Sequence, residues 1–260
     1  MGLSPTAIAT LWWREIIRFR RQPSRWIGAL LQPIVFWLLL GGGLSASFRP
    51  AGAPDGTDYM TYFYPGILVL ALLFTAVFST ISVVEDRREG FLQGVLVAPV
   101  ARFNIILGQG LGSTALALSQ ATLLLALAPV AGVQLSPGAG LAAISVLGLL
   151  GFSLSNIGLM IAWRIRSTQG FPVIMNLILV PMWLLSGAFF PLTGVPASLE
   201  WLMRLNPLTY GMAALRRCLY LGPGSVLETL PGFGLSLAVM VALGAATYFA
   251  AVATAKRNPF

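Results

Sequence analysis

Six charged side chains are gathered between Glu85 and Arg102, in the stretch EDRREGFLQGVLVAPVAR, within a chain of which only 9% of residues are charged. Side chains of these types can catalyse, bind an ion or grip another protein. Catalysis is disfavoured because the chain has no histidine, and its long apolar intervals hold no carboxylate pair and no base to activate a serine. A proton-coupled carrier is disfavoured on the same ground, since titratable groups at membrane depth mark such proteins; sodium coupling through carbonyls and hydroxyls stays open. Cys218 is the single cysteine, which excludes an internal disulfide and a cysteine metal cluster. The only lysine, Lys256, lies near the end of the chain with no GxxxxGK around it, so the sequence predicts no P-loop and no cofactor site in this chain. If ATP supplies energy, a separate subunit must hold it together with its magnesium. The reading left for Glu85 to Arg102 is mechanical: a short amphipathic helix that starts near Glu85, is stopped by Pro99, and is pushed by another protein. On that reading, charge reversal at Glu85 and Asp86 uncouples the partner and leaves the fold intact.

The elements around this stretch are apolar. The chain has 260 residues, 57% of them hydrophobic, whereas soluble domains carry roughly a quarter charged residues. Long continuous charge-free runs predict an all-α membrane protein rather than a barrel, whose strands alternate over about ten residues. Six spans are expected, near 26–48, 60–84, 104–132, 138–163, 170–190 and 230–255, in one transmembrane domain covering 1–260. The net charge of +8 is explained by a positive-inside bias and not by nucleic-acid binding. With both termini inside, Arg14, Arg18, Arg20, Arg21, Arg25, Arg87, Arg88, Arg102, Arg164, Arg166, Lys256 and Arg257 fall on the cytoplasmic side. Arg49, Arg204, Arg216 and Arg217 face out.

Before the first span, SPTAIATLWWREIIRFRRQ places Ile8, Trp12, Ile16 and Phe19 on one helical face and Arg14, Arg18 and Arg21 on the other. This predicts an interfacial helix with its arginines toward anionic headgroups; an ordinary basic tail is the alternative. A signal peptide is disfavoured because the apolar run exceeds a typical h-region. Asp55 and Asp58 are assigned to a short outer loop. Between Pro191 and Pro231 the longest charge-free run covers about half a bilayer, so this region is expected to form short re-entrant or interfacial helices on the outer side. Arg216 and Arg217 are expected either to pair with Glu200 or Glu228 or to bind outer lipid phosphates, pairing being the favoured reading. Gln109, Gln120, Asn156 and Asn176 within the spans either hydrogen-bond across helices or line a path, and Gly108 with Gly112 predicts close helix packing.

These residues resemble the type 2 ABC transporter permeases, the membrane subunits of many bacterial exporters. Two motifs carry the resemblance. The cytoplasmic stretch is similar to the family's charged start, leucine-rich turn and closing TPxxR, at Glu85, Arg87, Gly90, Leu92, Leu96, Ala98, Pro99 and Arg102. The second is LSGAFFPL followed by LNPLTYGMAALR, which places Gly187, Pro191, Asn206, Pro207, Tyr210 and Arg216 in the outer re-entrant segment. The resemblance implies a six-span half-transporter in the bacterial inner membrane, paired with itself or a related permease. It implies that ATPase subunits dock on Glu85 to Arg102, with Asp86 in that surface, and on the interfacial helix at Trp12, Arg14, Arg18 and Arg21. A stand-alone secondary transporter or channel is the alternative.

Overall fold

The computed structural model describes residues 2–45, 58–192, 195–220 and 230–257, with the backbone alone at 24–26. Arg49, Asp55, Glu228 and the side chains of Arg25 and Trp26 therefore lie outside the described residues. Every regular element among those described is helical: α1 (Pro5–Arg20), α2 (Pro23–Phe36), α3 (Gly42–Ser45), α4 (Tyr59–Phe78), α5 (Ile81–Arg88), α6 (Phe91–Val97), α7 (Arg102–Leu125), α8 (Pro137–Ala162), α9 (Gly170–Trp183), α10 (Ala197–Leu205), α11 (Pro207–Leu219) and α12 (Phe233–Arg257). Single π turns, Trp37–Gly41 and Leu184–Ala188, extend α2 and α9. Both follow a proline within the helix, Pro33 or Pro181, whose missing N–H unsettles the ordinary ladder.

Among the described residues, five stretches are long and apolar enough to cross a membrane: Ile27–Ser45, Tyr59–Arg88, Pro137–Ala162, Gly170–Ala188 and Phe233–Arg257. The interval expected to be the third span falls on α7, whose 24 residues reach about 36 Å. α7 stops at Leu125, and turns lead on to α8, where the Ser136 hydroxyl caps the new helix by accepting from the Ala139 N–H at 3.2 Å. α7 is less apolar than the five because Asn104, Gln109, Ser113, Thr114 and Gln120 punctuate it, all of them buried. Protein surrounds it: α1, α4, α8 and α12 all pack on α7.

The core centres on α4, whose residues from Tyr62 to Leu73 are buried without interruption. A helix apolar on every face belongs inside a bundle. The outer faces reverse the pattern of a soluble protein. Leu31 and Leu39 on and after α2, Val173 and Leu177 on α9, and Leu235 and Phe249 on α12 are exposed, as lipid contact requires.

Close approach is arranged with glycine. A Cβ at Gly108 would stand 2.9 Å from the Leu11 Cβ and 3.0 Å from the Ile8 carbonyl, and one at Gly112 would stand 2.9 Å from the Glu15 Cβ. The GxxxG pair thus packs closely as expected, and its partner is α1. The helix lies on α7 through Leu11 and Glu15, its two buried residues. The face expected to be apolar, Ile8, Trp12, Ile16 and Phe19, is only partly buried, because the groove over Gly108 and Gly112 receives the neighbouring stripe.

Candidate functional site

The charged stretch departs from its expected form. Glu85 to Arg88 are the last turn of α5, which continues α4 after a turn at Ser79 and Thr80. The backbone then reverses at Gly90, whose φ of 78° is left-handed, a conformation glycine adopts without steric cost. The short helix that follows, α6, is the apolar FLQGVLV, with Pro99 standing just beyond it. Glu85 and Asp86 therefore end one helix and do not begin another. An acidic helix C-terminus is electrostatically unfavourable, and α1 compensates it.

Arg14 grips Asp86 with both arms, Nη1 to Oδ2 at 2.7 Å and Nη2 to Oδ1 at 2.5 Å. Arg18 bridges the two acids, Nη1 to Asp86 Oδ1 at 2.9 Å and Nη2 to Glu85 Oε2 at 2.7 Å. Asp86 is 1% exposed, so these are buried charge-assisted bonds of the strong bidentate kind. Burial opposes the charge on Arg14, yet the Asp86 hydrogen bonds and charge prevail and hold its pKa above the ordinary value. The expectation that Arg14 and Arg18 face lipid headgroups is thus corrected: they face carboxylates of the same chain. Arg21 is exposed, and Trp12 is partly buried.

Glu15 is the third acid of this cluster, and sequence reasoning overlooked it. It lies buried against Gly112, its Oε1 3.8 Å from Arg14 Nη1. Burial pushes its carboxyl above the ordinary range, with Arg14 pulling the other way. A folded-state pKa above the unfolded value means that stability is fully present below the unfolded pKa and is lost as pH rises through the folded one. Glu15→Gln is therefore expected to match the wild type at about pH 4 and to be the more stable protein at about pH 8. Thermal exposure of Cys218, a free and buried thiol, to a maleimide dye measures this. The same pH dependence in both proteins would show that the carboxyl is not held in that seat.

Two further charges of the stretch, Arg87 and Arg102, turn inward as well, while Arg88 and Glu89 are exposed. Arg87 donates to the Trp163 carbonyl at 2.9 Å and Arg102 to the Ala255 carbonyl at 2.7 Å. Both close the C-terminal ends of long helices, α8 and α12, where unpaired carbonyls and the helix dipole favour a cation. Arg88 reaches the Thr168 hydroxyl at 2.9 Å. Leu92 is buried and Leu96 partly so. This corner therefore ties α1, α8 and α12 to the end of α4. Its outward surface is apolar at the tip, with Phe91 43% and Val97 85% exposed, the latter next to Ala98 and Pro99. The Phe91 ring is backed by the Arg14 guanidinium, 3.9 Å from its centroid.

At the opposite end, α9 closes at Gly187, left-handed at φ 81°, and α10 and α11 follow beyond Pro191 as two short helices. Asn206 joins them: its Oδ1 accepts from the Leu208 N–H at 3.0 Å and its Nδ2 donates to the Met182 carbonyl at 2.6 Å. Pro207 is the first residue of α11, and the Tyr210 hydroxyl donates to the Arg204 carbonyl at 3.1 Å. Arg216 is buried and does not pair with Glu200, which instead binds Arg204 at 2.7 Å. Arg216 donates to the Gly187 carbonyl at 2.8 Å and lies 4.1 Å over the Tyr62 ring, a backbone dipole and a π face that suit a buried guanidinium; Glu228, its other expected partner, lies outside the described residues. Arg217 donates to the Leu230 and Pro231 carbonyls. The residues expected in a re-entrant segment are thus brought around the end of α9, while the α5–α6 corner and α1 form the other pole.

Of the polar residues in the spans, Gln120 accepts from the Thr75 hydroxyl and Asn156 donates to the Phe152 carbonyl. Gln109 is buried, and Asn176 lines a cavity between helices. Among the described residues no cluster of histidine, cysteine, aspartate or glutamate could hold a metal ion.

A helical bundle with apolar outer faces, several membrane-crossing helices and charge concentrated at one corner is a multi-pass membrane protein. The sequence profile of the ABC-2 type transporter family matches residues 6–220, and the chain belongs to that family. It is similar to a putative transport permease, ycf38, of Cyanophora paradoxa, 30% identical over 207 residues, covering 78% of this chain and 70% of the relative. It is similar as well to nodulation protein J of Sinorhizobium fredii, 25% identical with 95% and 94% covered. A third relative, the inner membrane transport permease YadH of Escherichia coli, is 27% identical with 83% and 84% covered. The chain is accordingly a membrane permease subunit.

Proposed function

We propose that the chain is the transmembrane half of an ATP-driven exporter. In this reading α7 is a sixth span, both termini and the α5–α6 corner are cytoplasmic, and a separate ATPase subunit carries ATP and magnesium. Two permease chains, identical or related, form the path in a bacterial inner membrane, with YadH, named an inner membrane transport permease, as the relative that supports that location. The observation that carries the reading is the α5–α6 corner. An exposed apolar tip at Phe91 and Val97 stands on a base in which Asp86, Arg87 and Arg102 are bonded to α1, α8 and α12. A tip fastened this way passes displacement to several long helices at once, as a subunit without its own nucleotide site requires. The docking surface is the apolar tip, and the acids brace it from behind.

Site-directed cross-linking tests this. Val97→Cys in a Cys218→Ser background, labelled with a benzophenone maleimide, is expected to cross-link to an ATP-binding-cassette ATPase in native membranes. Trp201→Cys at the opposite pole, treated in the same way, is expected to give no such product. Cross-linking from Trp201→Cys with none from Val97→Cys would reject the assignment.

A further inference from the structure

The α5–α6 corner sorts its charges by sign. Glu85 and Asp86 meet Arg14 and Arg18 of α1, Glu15 lies beside Arg14, and the charge of Glu89 reaches Arg14 as well. On its other side the end of α5 meets the link 163–169 between α8 and α9. There Arg87 donates to the Trp163 and Ile165 carbonyls and Arg88 to the Thr168 hydroxyl. The link adds Arg164 and Arg166, the latter close enough to Arg87 for the two like charges to repel. The chain has no Asp or Glu between Glu89 and Glu200, and none of these four arginines forms an ion pair among the described residues. Arg87 answers the carbonyls that end α8, whereas Arg88, Arg164 and Arg166 are exposed. Guanidiniums gathered without a counter-charge repel one another, and an anion placed among them turns that repulsion into attraction.

We infer that Arg88, Arg164 and Arg166 form a binding site for the phosphate of an anionic phospholipid, held at the protein surface as a resident lipid. The position of the link fixes the source of the phosphate. It joins two membrane-crossing stretches, Pro137–Ala162 and Gly170–Ala188, and is too short to carry its arginines far from the headgroup layer. α9 leaves it with Val173, Ile174 and Leu177 exposed, an apolar stripe along which an acyl chain lies once its headgroup is on the arginines. Guanidiniums fork onto phosphate oxygens, and basic clusters beside a membrane helix collect anionic lipids. Bound there, one phosphate spans the end of α5 and the link, reinforcing the Arg88–Thr168 contact that ties the corner to the start of α9. The inference rests on the membrane spans and needs no ATPase partner.

Native mass spectrometry of the full-length chain tests it, after the chain is stripped of lipid in detergent and titrated with phosphatidylglycerol or with phosphatidylcholine of the same acyl chains. The phosphatidylglycerol adduct is expected at the lower lipid concentration, and excess inorganic phosphate is expected not to displace it. Arg164→Gln with Arg166→Gln is expected to weaken that adduct by about tenfold, the scale of two basic residues at a membrane surface. Lys256→Gln with Arg257→Gln removes the same charge from exposed positions at the end of α12 and is expected to leave the adduct nearly unchanged. Protection of Cys218 from a maleimide dye reports folding; should the first double variant lose it, Arg166→Gln alone serves, with a smaller loss expected. Equal binding of the two lipids, an equal loss in both double variants, or no loss in either would overturn the inference. Displacement by inorganic phosphate would make the free anion the ligand and overturn the lipid assignment. An ATPase lost from the Arg164→Gln, Arg166→Gln protein while lipid binding persists would give these arginines to the partner instead. A chain that co-purifies with an ATPase but binds both lipids alike rejects this site alone. Selective lipid binding without any ATPase partner rejects the coupling reading alone.

Discussion

Asp86→Ala is expected to destabilise the protein by about 3 kcal/mol, near the lower end of the 3–5 kcal/mol typical for removing one partner of a buried ion pair. The lower end applies because Arg14 and Arg18 keep 27% and 21% of their side chains exposed and recover part of their hydration when the carboxylate is gone. Alanine leaves two guanidiniums side by side at the edge of the bundle, balanced by Glu85, Glu15 and Glu89 without the buried bidentate carboxylate. Glu85→Ala is expected to cost about 1 kcal/mol or less, since the Glu85 side chain is 24% exposed against 1% for Asp86. A lowered midpoint for thermal exposure of Cys218, several times larger for Asp86→Ala than for Glu85→Ala, is the expected readout. If Asp86→Ala kept wild-type stability and lost only its association with an ATPase, the carboxylate would be a partner-facing group after all.

Gly108→Leu carries the second large effect. The atoms opposing a side chain at Gly108 are the Leu11 Cβ and the Ile8 backbone, which cannot swing aside as the end of a long side chain can. Overpacking of this kind costs about 1–3 kcal/mol when a core absorbs it. Here α1 has a free outer side, so it is expected to lift, drawing Arg14 and Arg18 away from Asp86 and the Glu15 carboxyl out of its seat. Trypsin should then cut at Arg20 and Arg21 faster than in the wild type. Gly28→Leu is the matched control, because nothing lies within 4 Å of a Cβ there. Equal digestion of the two variants would mean that α1 is not held on α7 at these glycines.

Much of the architecture was legible because lipid imposes a simple rule: charge-free runs of about 20 residues become long helices. Gly108 and Gly112 announced a close approach, and Pro191 to Pro231 announced short helices, met at α10 and α11 among its described residues, each from local composition. Pairings across the chain were not legible. Asp86 meets Arg14 across 72 residues, and one sequence shows charges of both signs without saying which of them meet. Arg14 and Arg18 therefore read as a lipid-facing stripe, and Glu85 and Asp86 as the acidic start of a helix. The reversal depends on Gly90, whose left-handed turn separates the charged residues from the helix that follows. Glu15 gave no signal against the three arginines around it, though its place one turn below Leu11 on the buried stripe could have suggested it. Arg216 was assigned Glu200, Glu228 or a lipid phosphate because charges were the obvious partners, whereas among the described residues, which do not include Glu228, it meets a glycine carbonyl freed where α9 ends and a tyrosine ring. Asn176 looked like Gln120 and Asn156 in the sequence; only the gap between α2 and α9 sets it apart.

The coupling role is tested most directly by purifying the tagged full-length chain from its native membrane in mild detergent and identifying what accompanies it by mass spectrometry. The account predicts a stoichiometric ATP-binding-cassette ATPase, lost from Phe91→Asp with Val97→Asp while Cys218 stays protected, and retained with Trp201→Asp at the opposite pole. A folded wild-type chain that purifies without any ATPase, or one whose ATPase stays bound to the Phe91→Asp, Val97→Asp protein, would contradict it.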